Sequence, residues 1–226
     1  MRILVVAATG AEIAPFVAGL RCESEGDSRV SRYTRGVHRV DVLTAGVGMV
    51  ATAAWCSRVL ATEHFDMALN LGVCGSFDRT LAPGSVVHVV SECLSELGAE
   101  DDGAFLTIQE LKLLGDDEFP FQGGRMMNVA PPPNSVLRRL PSVDGITVNT
   151  VHGNEPSIAA VVQRFRPHVE SMEGAAFMYA CLINRLPCAE VRAVSNMVEK
   201  RNRGAWKIAE AIRGLGETAL NILDHA

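Results

Sequence analysis

A chain of 226 residues, 48% hydrophobic and 21% charged, has the length and apolar content to bury one large core. Its net charge of −5 excludes the basic face that nucleic-acid phosphates demand, so small molecules are the expected partners, with no nucleic acid and no membrane. No stretch approaches the roughly 18 consecutive apolar residues of a membrane span. The apolar run from Ile3 to Ala8 stops at Thr9 and Gly10, too early for a signal peptide, and suits a buried first strand.

A single domain over 1–226, located in the cytoplasm, is therefore expected. The six cysteines, at 22, 56, 74, 93, 181 and 188, show no CxxC spacing and read as reduced thiols, with neither disulfides nor zinc indicated.

In chain order, the patterning predicts a strand over 2–8, a helix over 12–20, a strand over 37–45, a helix over 50–63, and strands over 67–73 and 85–92. It resumes with a strand over 146–151, helices over 157–166 and 174–185, a strand over 189–194 and a helix over 204–224. Alternation of this kind predicts an α/β fold, with helices layered on both faces of a largely parallel sheet. Between the two halves lies 97–141, with acidic runs, a Gly-Gly pair and a Pro-Pro-Pro run. It reads as a loop-rich excursion holding at most one short helix.

Ligands of such sheets gather beyond the carboxyl ends of the strands, and five stretches stand there. Thr9-Gly10-Ala11-Glu12 leaves the first strand; a carboxylate in a helix's first turn is stabilised by the macrodipole, so Glu12 has a structural reading beside a functional one. AGVGMVA at 45–51 places Gly46 and Gly48 in a glycine turn that lets a ligand approach the backbone. It also matches the dinucleotide fingerprint, but Asp66, the acid at the right spacing, precedes its strand instead of ending it.

LNLGVCGSFD at 69–78 contributes Ser76 as a ligand-positioning hydroxyl, since no G-x-S-x-G elbow surrounds it. VESMEGAAF at 169–177 sets Glu173 at the mouth of an apolar helix, with Glu170 reading as a strand-end or surface charge. The strand ending in Ser195-Asn196 leads into the basic-aromatic run from Lys200 to Trp206.

Taken in order, Glu12, AGVG at 45–48, GVCGSFD at 72–78, SMEGAA at 171–176 and RAVSN at 192–196 resemble the nucleoside phosphorylase and nucleosidase superfamily over nearly the whole chain. NTVHGNE at 149–155, SMEGAAF and SNMVEKRNRGAW at 195–206 look most like its futalosine hydrolase family, with the methylthioadenosine/S-adenosylhomocysteine nucleosidases next. The resemblance implies a three-layer α/β sandwich with a mixed, largely parallel twisted sheet, no metal, no organic cofactor, and a homodimer or larger homo-oligomer.

The same resemblance assigns roles. Glu173 would bind the ribose 2′- and 3′-hydroxyls with Met172 packed on the sugar, and Glu12 would activate water. Asn196 stands where adenosine-type enzymes carry an aspartic acid; an amide cannot protonate the base, but it can hydrogen-bond a 6-oxopurine such as hypoxanthine. Ser195 would orient Asn196, and Val151 would offer a backbone contact to the base. Phe77 and Trp206 would wall the pocket, and Arg201 or Arg203 would meet a carboxylate on the 5′ side.

The negative Glu12 turn opposes a phosphate nucleophile, so hydrolysis of futalosine is favoured over phosphorolysis. The alternatives are a methylthioadenosine/S-adenosylhomocysteine nucleosidase and a non-catalytic nucleoside-binding protein.

Overall fold

The computed structural model describes residues 1–24 and 29–226. β1 (Arg2–Ala7) leads through a short helix α1 (Ala14–Ala18) into β2 (Arg21–Ser24), β3 (Val30–Arg35) and β4 (His38–Thr44). Then come α2 (Met49–Thr62), β5 (Met67–Ser76) and β6 (Val86–Glu92). The excursion carries β7 (Gly98–Asp101), β8 (Ala104–Thr107), β9 (Phe121–Gln122) and β10 (Arg125–Met127). β11 (Ser142–Thr147), α3 (Glu155–Phe165), β12 (Val169–Ser171), α4 (Gly174–Ile183), β13 (Cys188–Met197) and α5 (Ile208–Asp224) complete the chain.

The three layers follow from the two-residue period of the strands. In β1, Ile3, Val5 and Ala7 pack with Phe16 of α1 and with Ala211, Leu215, Ala219 and Ile222 of α5. The intervening Leu4 and Val6 pack on the other face with Cys56 and Val59 of α2 and Phe177 and Cys181 of α4. Both faces are covered, which is why the strand reads as an unbroken apolar run. Each fully buried aliphatic side chain of this kind contributes about 1.5–3 kcal/mol.

The sheet is mixed. β1 runs parallel to β4 and β5, and β5 parallel to β13. β13 in turn pairs antiparallel with β6, β6 parallel with β11, β11 parallel with β12, and β12 antiparallel with β5, so these five strands close a ring. The β2–β3–β4 meander forms one edge.

Several sequence expectations need correction. The helix expected over 12–20 shrinks to Ala14–Ala18, because Glu12 bonds back to its own turn and Pro15 sits in the first helical turn. The strand expected over 146–151 lies at Ser142–Thr147, and the last helix starts at Ile208 after a 3₁₀ turn. The excursion 97–141 does hold one short helical turn, the 3₁₀ turn Leu137–Arg139, but it also holds strands that were not expected: the β7–β8 hairpin and the β9–β10 hairpin, with β10 joining the main sheet on β6. Asp102 and the glycines at 123 and 124 adopt positive φ in these turns, the backbone that tight hairpins require. Among the described residues, no helix is long and apolar enough to cross a membrane. All six cysteines are free, five of them buried.

Candidate active site

The carboxyl ends of β1, β5 and β13 converge with the starts of α2 and α4 on a cavity of about 240 Å³. Glu12, Val151, Met172, Glu173, Ser195, Asn196, Trp206 and Arg201 all line it. Larger hollows exist, one of about 480 Å³ beside β8 and β9, but that one lies away from Glu12 and Glu173.

Glu12 is fixed by a reciprocal turn with Thr9. Its Oε2 accepts from the Thr9 amide at 3.1 Å and the Thr9 hydroxyl at 3.0 Å, while the Glu12 amide donates to Thr9 Oγ1 at 3.4 Å. The other oxygen, Oε1, accepts from the Val73 amide at 3.3 Å, which ties the turn after β1 to the end of β5.

Glu173 is 5% exposed and immediately precedes α4. Its Oε1 accepts from the Gly48 amide at 3.0 Å, so the glycine turn after β4 presents a backbone donor to a carboxylate of this chain. Gly48, at φ 92°, takes a conformation that an L-residue rarely adopts. Gly46, also at positive φ, donates to the Ala8 carbonyl and shapes the turn without lining the cavity. Asp66 bonds the Arg2 amide at the amino end of β1, at the wrong end of the sheet for a ribose-binding acid.

Behind Glu173 stands Arg192, fully buried. Its Nη1 donates to Glu173 Oε2 at 3.4 Å, its Nε to Glu190 Oε1 at 2.8 Å, and its Nη2 to Asn70 Oδ1. Burial works against the guanidinium charge, but Glu190, Glu173 and Glu12 outweigh it and raise its pKa further above the ordinary arginine value. Gly72 is what admits this group, since a Cβ there would overlap Arg192 Nη1. Burial and the neighbouring Glu190 also raise the Glu92 carboxyl well above the usual carboxylate range, with Thr147 Oγ1 donating to it at 2.9 Å.

At the opposite wall β13 carries a bulge: Val194 pairs with Cys74 and Asn196 with Gly75, which leaves Ser195 unpaired between them. Ser195 Oγ lies 2.8 Å from Asn196 Oδ1 and 3.1 Å from the Cys74 carbonyl, and its single hydroxyl proton serves one at a time. Asn196 Nδ2 donates to the Met197 carbonyl at 3.0 Å. The second hydrogen of that amide is left for the cavity. The Cys74 thiol in the same wall is pushed up to about 12 by burial and stays neutral.

Besides Gly46, two expected residues fall outside the lining. Ser76 is buried with its hydroxyl among the Asp78 carbonyl (3.0 Å), the Asp78 amide (3.1 Å) and the His168 carbonyl (3.4 Å), a joint at the end of β5. Phe77 packs against the Cys93–Ile146–Val148 cluster and meets the cavity indirectly, its ring edge-on to His152 at 6.2 Å. Of the two arginines, Arg201 lines the cavity, its guanidinium 5.3 Å from the centre of the Trp206 ring; Arg203 does not.

Sequence reasoning missed two cavity residues. Glu170 is not a surface charge: it is 3% exposed and faces the cavity, and its Oε2 meets His152 Nδ1 at 2.6 Å. His152 sits within NTVHGNE, a stretch singled out only as a motif; no local pattern marks a histidine whose partner lies 18 residues away. Among the described residues, no cluster of three His, Cys, Asp or Glu side chains is placed to hold a metal ion.

No protein-family model matches the chain. A futalosine hydrolase of Streptomyces coelicolor is 29% identical over 204 residues, which cover 83% of this chain and 82% of that protein. Among solved structures, the S-adenosylhomocysteine nucleosidase of Streptococcus pyogenes in complex with 5-methylthiotubericidin superposes with a TM-score of 0.81 at 20% identity, over 99% of this chain and 96% of that one. The futalosine hydrolase of Helicobacter pylori gives 0.76 at 14% identity, over 99% and 97%. The architecture is thus the α/β fold of these nucleosidases.

Proposed function

Starting from its place among the nucleoside hydrolases of the futalosine hydrolase type, we propose that this chain hydrolyses the N-ribosidic bond of a 6-oxopurine nucleoside, futalosine, releasing hypoxanthine and dehypoxanthine futalosine. The observation that carries the reading is the meeting of Glu12, Glu173 and Asn196 on one cavity. Cleavage builds oxocarbenium-like positive charge on the ribose while the bond's electron pair moves into the base. The two carboxylates suit the first charge and the amide the second.

Glu173, gripped by Gly48 and Arg192, is the ribose anchor: one oxygen pair is spent on the protein, and the remaining lone pairs accept the sugar hydroxyls. Facing a cationic sugar at about 4 Å, a carboxylate is worth about 4 kcal/mol at an effective dielectric near 20. Glu12 takes the proton of the attacking water. Met172 packs on the ribose, the Val151 backbone and Asn196 hold the base, and Arg201 with Trp206 receives the 5′ substituent and its carboxylate.

The charges favour water over phosphate. Glu12, Glu170 and Glu173 line the cavity against Arg201, and Arg192 is already shared between Glu173 and Glu190. An entering phosphate would meet carboxylates without a free cationic cradle.

The test is incubation of the purified chain with futalosine in phosphate-free buffer, beside methylthioadenosine and inosine. Hypoxanthine release from futalosine is expected. Adenine release from methylthioadenosine in its place, or tight binding without cleavage, would overturn the assignment. The resemblance also supports a cytoplasmic homodimer or larger assembly, and light scattering of the same preparation reads the assembly, a monomer counting against it.

A further inference from the structure

Asn196 leaves one step without an agent: the departing purine takes the electron pair of the C1′–N bond and needs a proton, which an amide cannot give. We propose that His152, held by Glu170, donates that proton, a reading that rests on the nucleoside-hydrolase function above.

Three observations place the pair. First, Glu170 grips His152 at two points, its Oε1 accepting from the His152 amide at 3.1 Å and its Oε2 meeting ring Nδ1 at 2.6 Å. A carboxylate on Nδ1 puts the proton there and fixes the ring, so that Nε2 is the working nitrogen. Second, Nε2 has no hydrogen-bond partner among the described residues, although the side chain is only 13% exposed and lines the cavity. Phe77 backs the ring edge-on and limits its rotation. Third, the dyad lies at the end of the cavity where Asn196 stands: a Cβ on Gly75 would be 3.4 Å from Asn196 Nδ2 and 3.5 Å from Glu170 Cγ. Glu173 is tethered elsewhere, to Gly48 and Arg192.

The atoms balance. As the C1′–N bond breaks, the imidazolium Nε2–H proton passes to a ring nitrogen of the purine, and water bonds to C1′ while its proton passes to Glu12. Glu12 then returns a proton to solvent and His152 regains one. Nothing beyond water is consumed.

Other charged groups face this histidine. Glu12, Glu173 and Arg201 share the cavity with it, and Glu96, Glu100, Asp102 and Arg164 line a neighbouring hollow that it also borders.

A purely structural ion pair would fasten the segment after β11 and affect every substrate alike; a proton donor affects only leaving groups that need a proton. The experiment therefore compares wild type, His152→Gln and Glu170→Gln on futalosine and on p-nitrophenyl β-D-ribofuranoside, whose phenolate departs unprotonated, with kcat followed across pH. Expected for His152→Gln is a loss of roughly 10²-fold or more in kcat on futalosine. The alkaline limb of its pH profile should disappear, with p-nitrophenyl riboside cleavage within a few-fold of wild type. Equal losses on both substrates, or a retained alkaline limb, would overturn the proposal.

Circular dichroism checks the fold. If His152→Gln fails to fold, Glu170→Gln carries the test: without the carboxylate that holds the ring, kcat on futalosine should fall by roughly tenfold or more while p-nitrophenyl riboside cleavage stays within a few-fold of wild type, and equal losses on both substrates overturn the assignment. A wild-type chain that releases no purine defeats the function itself, an outcome distinct from any of these.

Discussion

Glu12 spends one carboxylate oxygen on its own turn and the other on the Val73 amide. Glutamine at this position keeps the shape but turns a donating NH₂ toward one of those donors, and it cannot take a proton from water. Glu12→Gln should therefore lower kcat on futalosine by about 10²–10⁴-fold while leaving KM within a few-fold; near-normal turnover in a steady-state assay would remove Glu12 from the base role. At this scale the sequence was informative where a residue carries its own motif. Glu12, Met172, Glu173 and Asn196 could be named from their stretches, and the structure gathers them on one cavity. Ser76 shows the limit: a serine at a strand end reads the same whether its hydroxyl faces a ligand or, as here, closes a turn on Asp78.

The element that most depends on one small residue is α4. It begins at Gly174, where a Cβ would overlap Glu92 Oε1 and Glu190 Oε1, so the absence of a side chain lets the helix start directly over two buried carboxyl groups. Gly174→Ala should destabilise the protein by about 1–3 kcal/mol, the usual cost of overpacking a close-packed interior. Because the shift would begin beside Glu173, futalosine KM should rise as well. Denaturant melts and steady-state kinetics on the same preparation read both effects, and an unchanged midpoint would refute the packing argument.

Strong elements such as β1, α2, β5 and α5 were legible from periodicity because each buries an apolar face. The weak β7 to β10 strands were not. They are two to four residues long and half polar, and two of them are joined to the main sheet only by tertiary pairing.

For the whole molecule, the buried Glu92–Glu190–Arg192 group gives a pH dependence of stability. The Glu92 carboxyl is raised above its ordinary value by burial first and then by Glu190. A raised carboxyl binds a proton in the fold that the unfolded chain has already released. Its contribution is therefore full below the ordinary carboxylate range and is lost as pH rises from there toward the raised value. Glu92→Gln, which keeps an acceptor for Thr147 and needs no proton, should show a flatter decline of denaturation midpoint with rising pH than wild type. Parallel curves for the two proteins would show that Glu92 does not carry this dependence.

The sequence by itself determined the layered α/β class and the strands whose ends build the site, which follow from local periodicity, and it singled out Glu12, Glu173 and Asn196, though not Glu170, through the short motifs that carry the family resemblance. Tertiary structure alone decided which charges face one another. Arg192 reaches Glu173 from 19 residues away, Glu170 reaches His152 from 18, and Gly48 reaches Glu173 from 125. The physical reason is burial: a carboxylate exposed in an extended chain needs no partner, and only when the sheet closes around it must a particular donor be found.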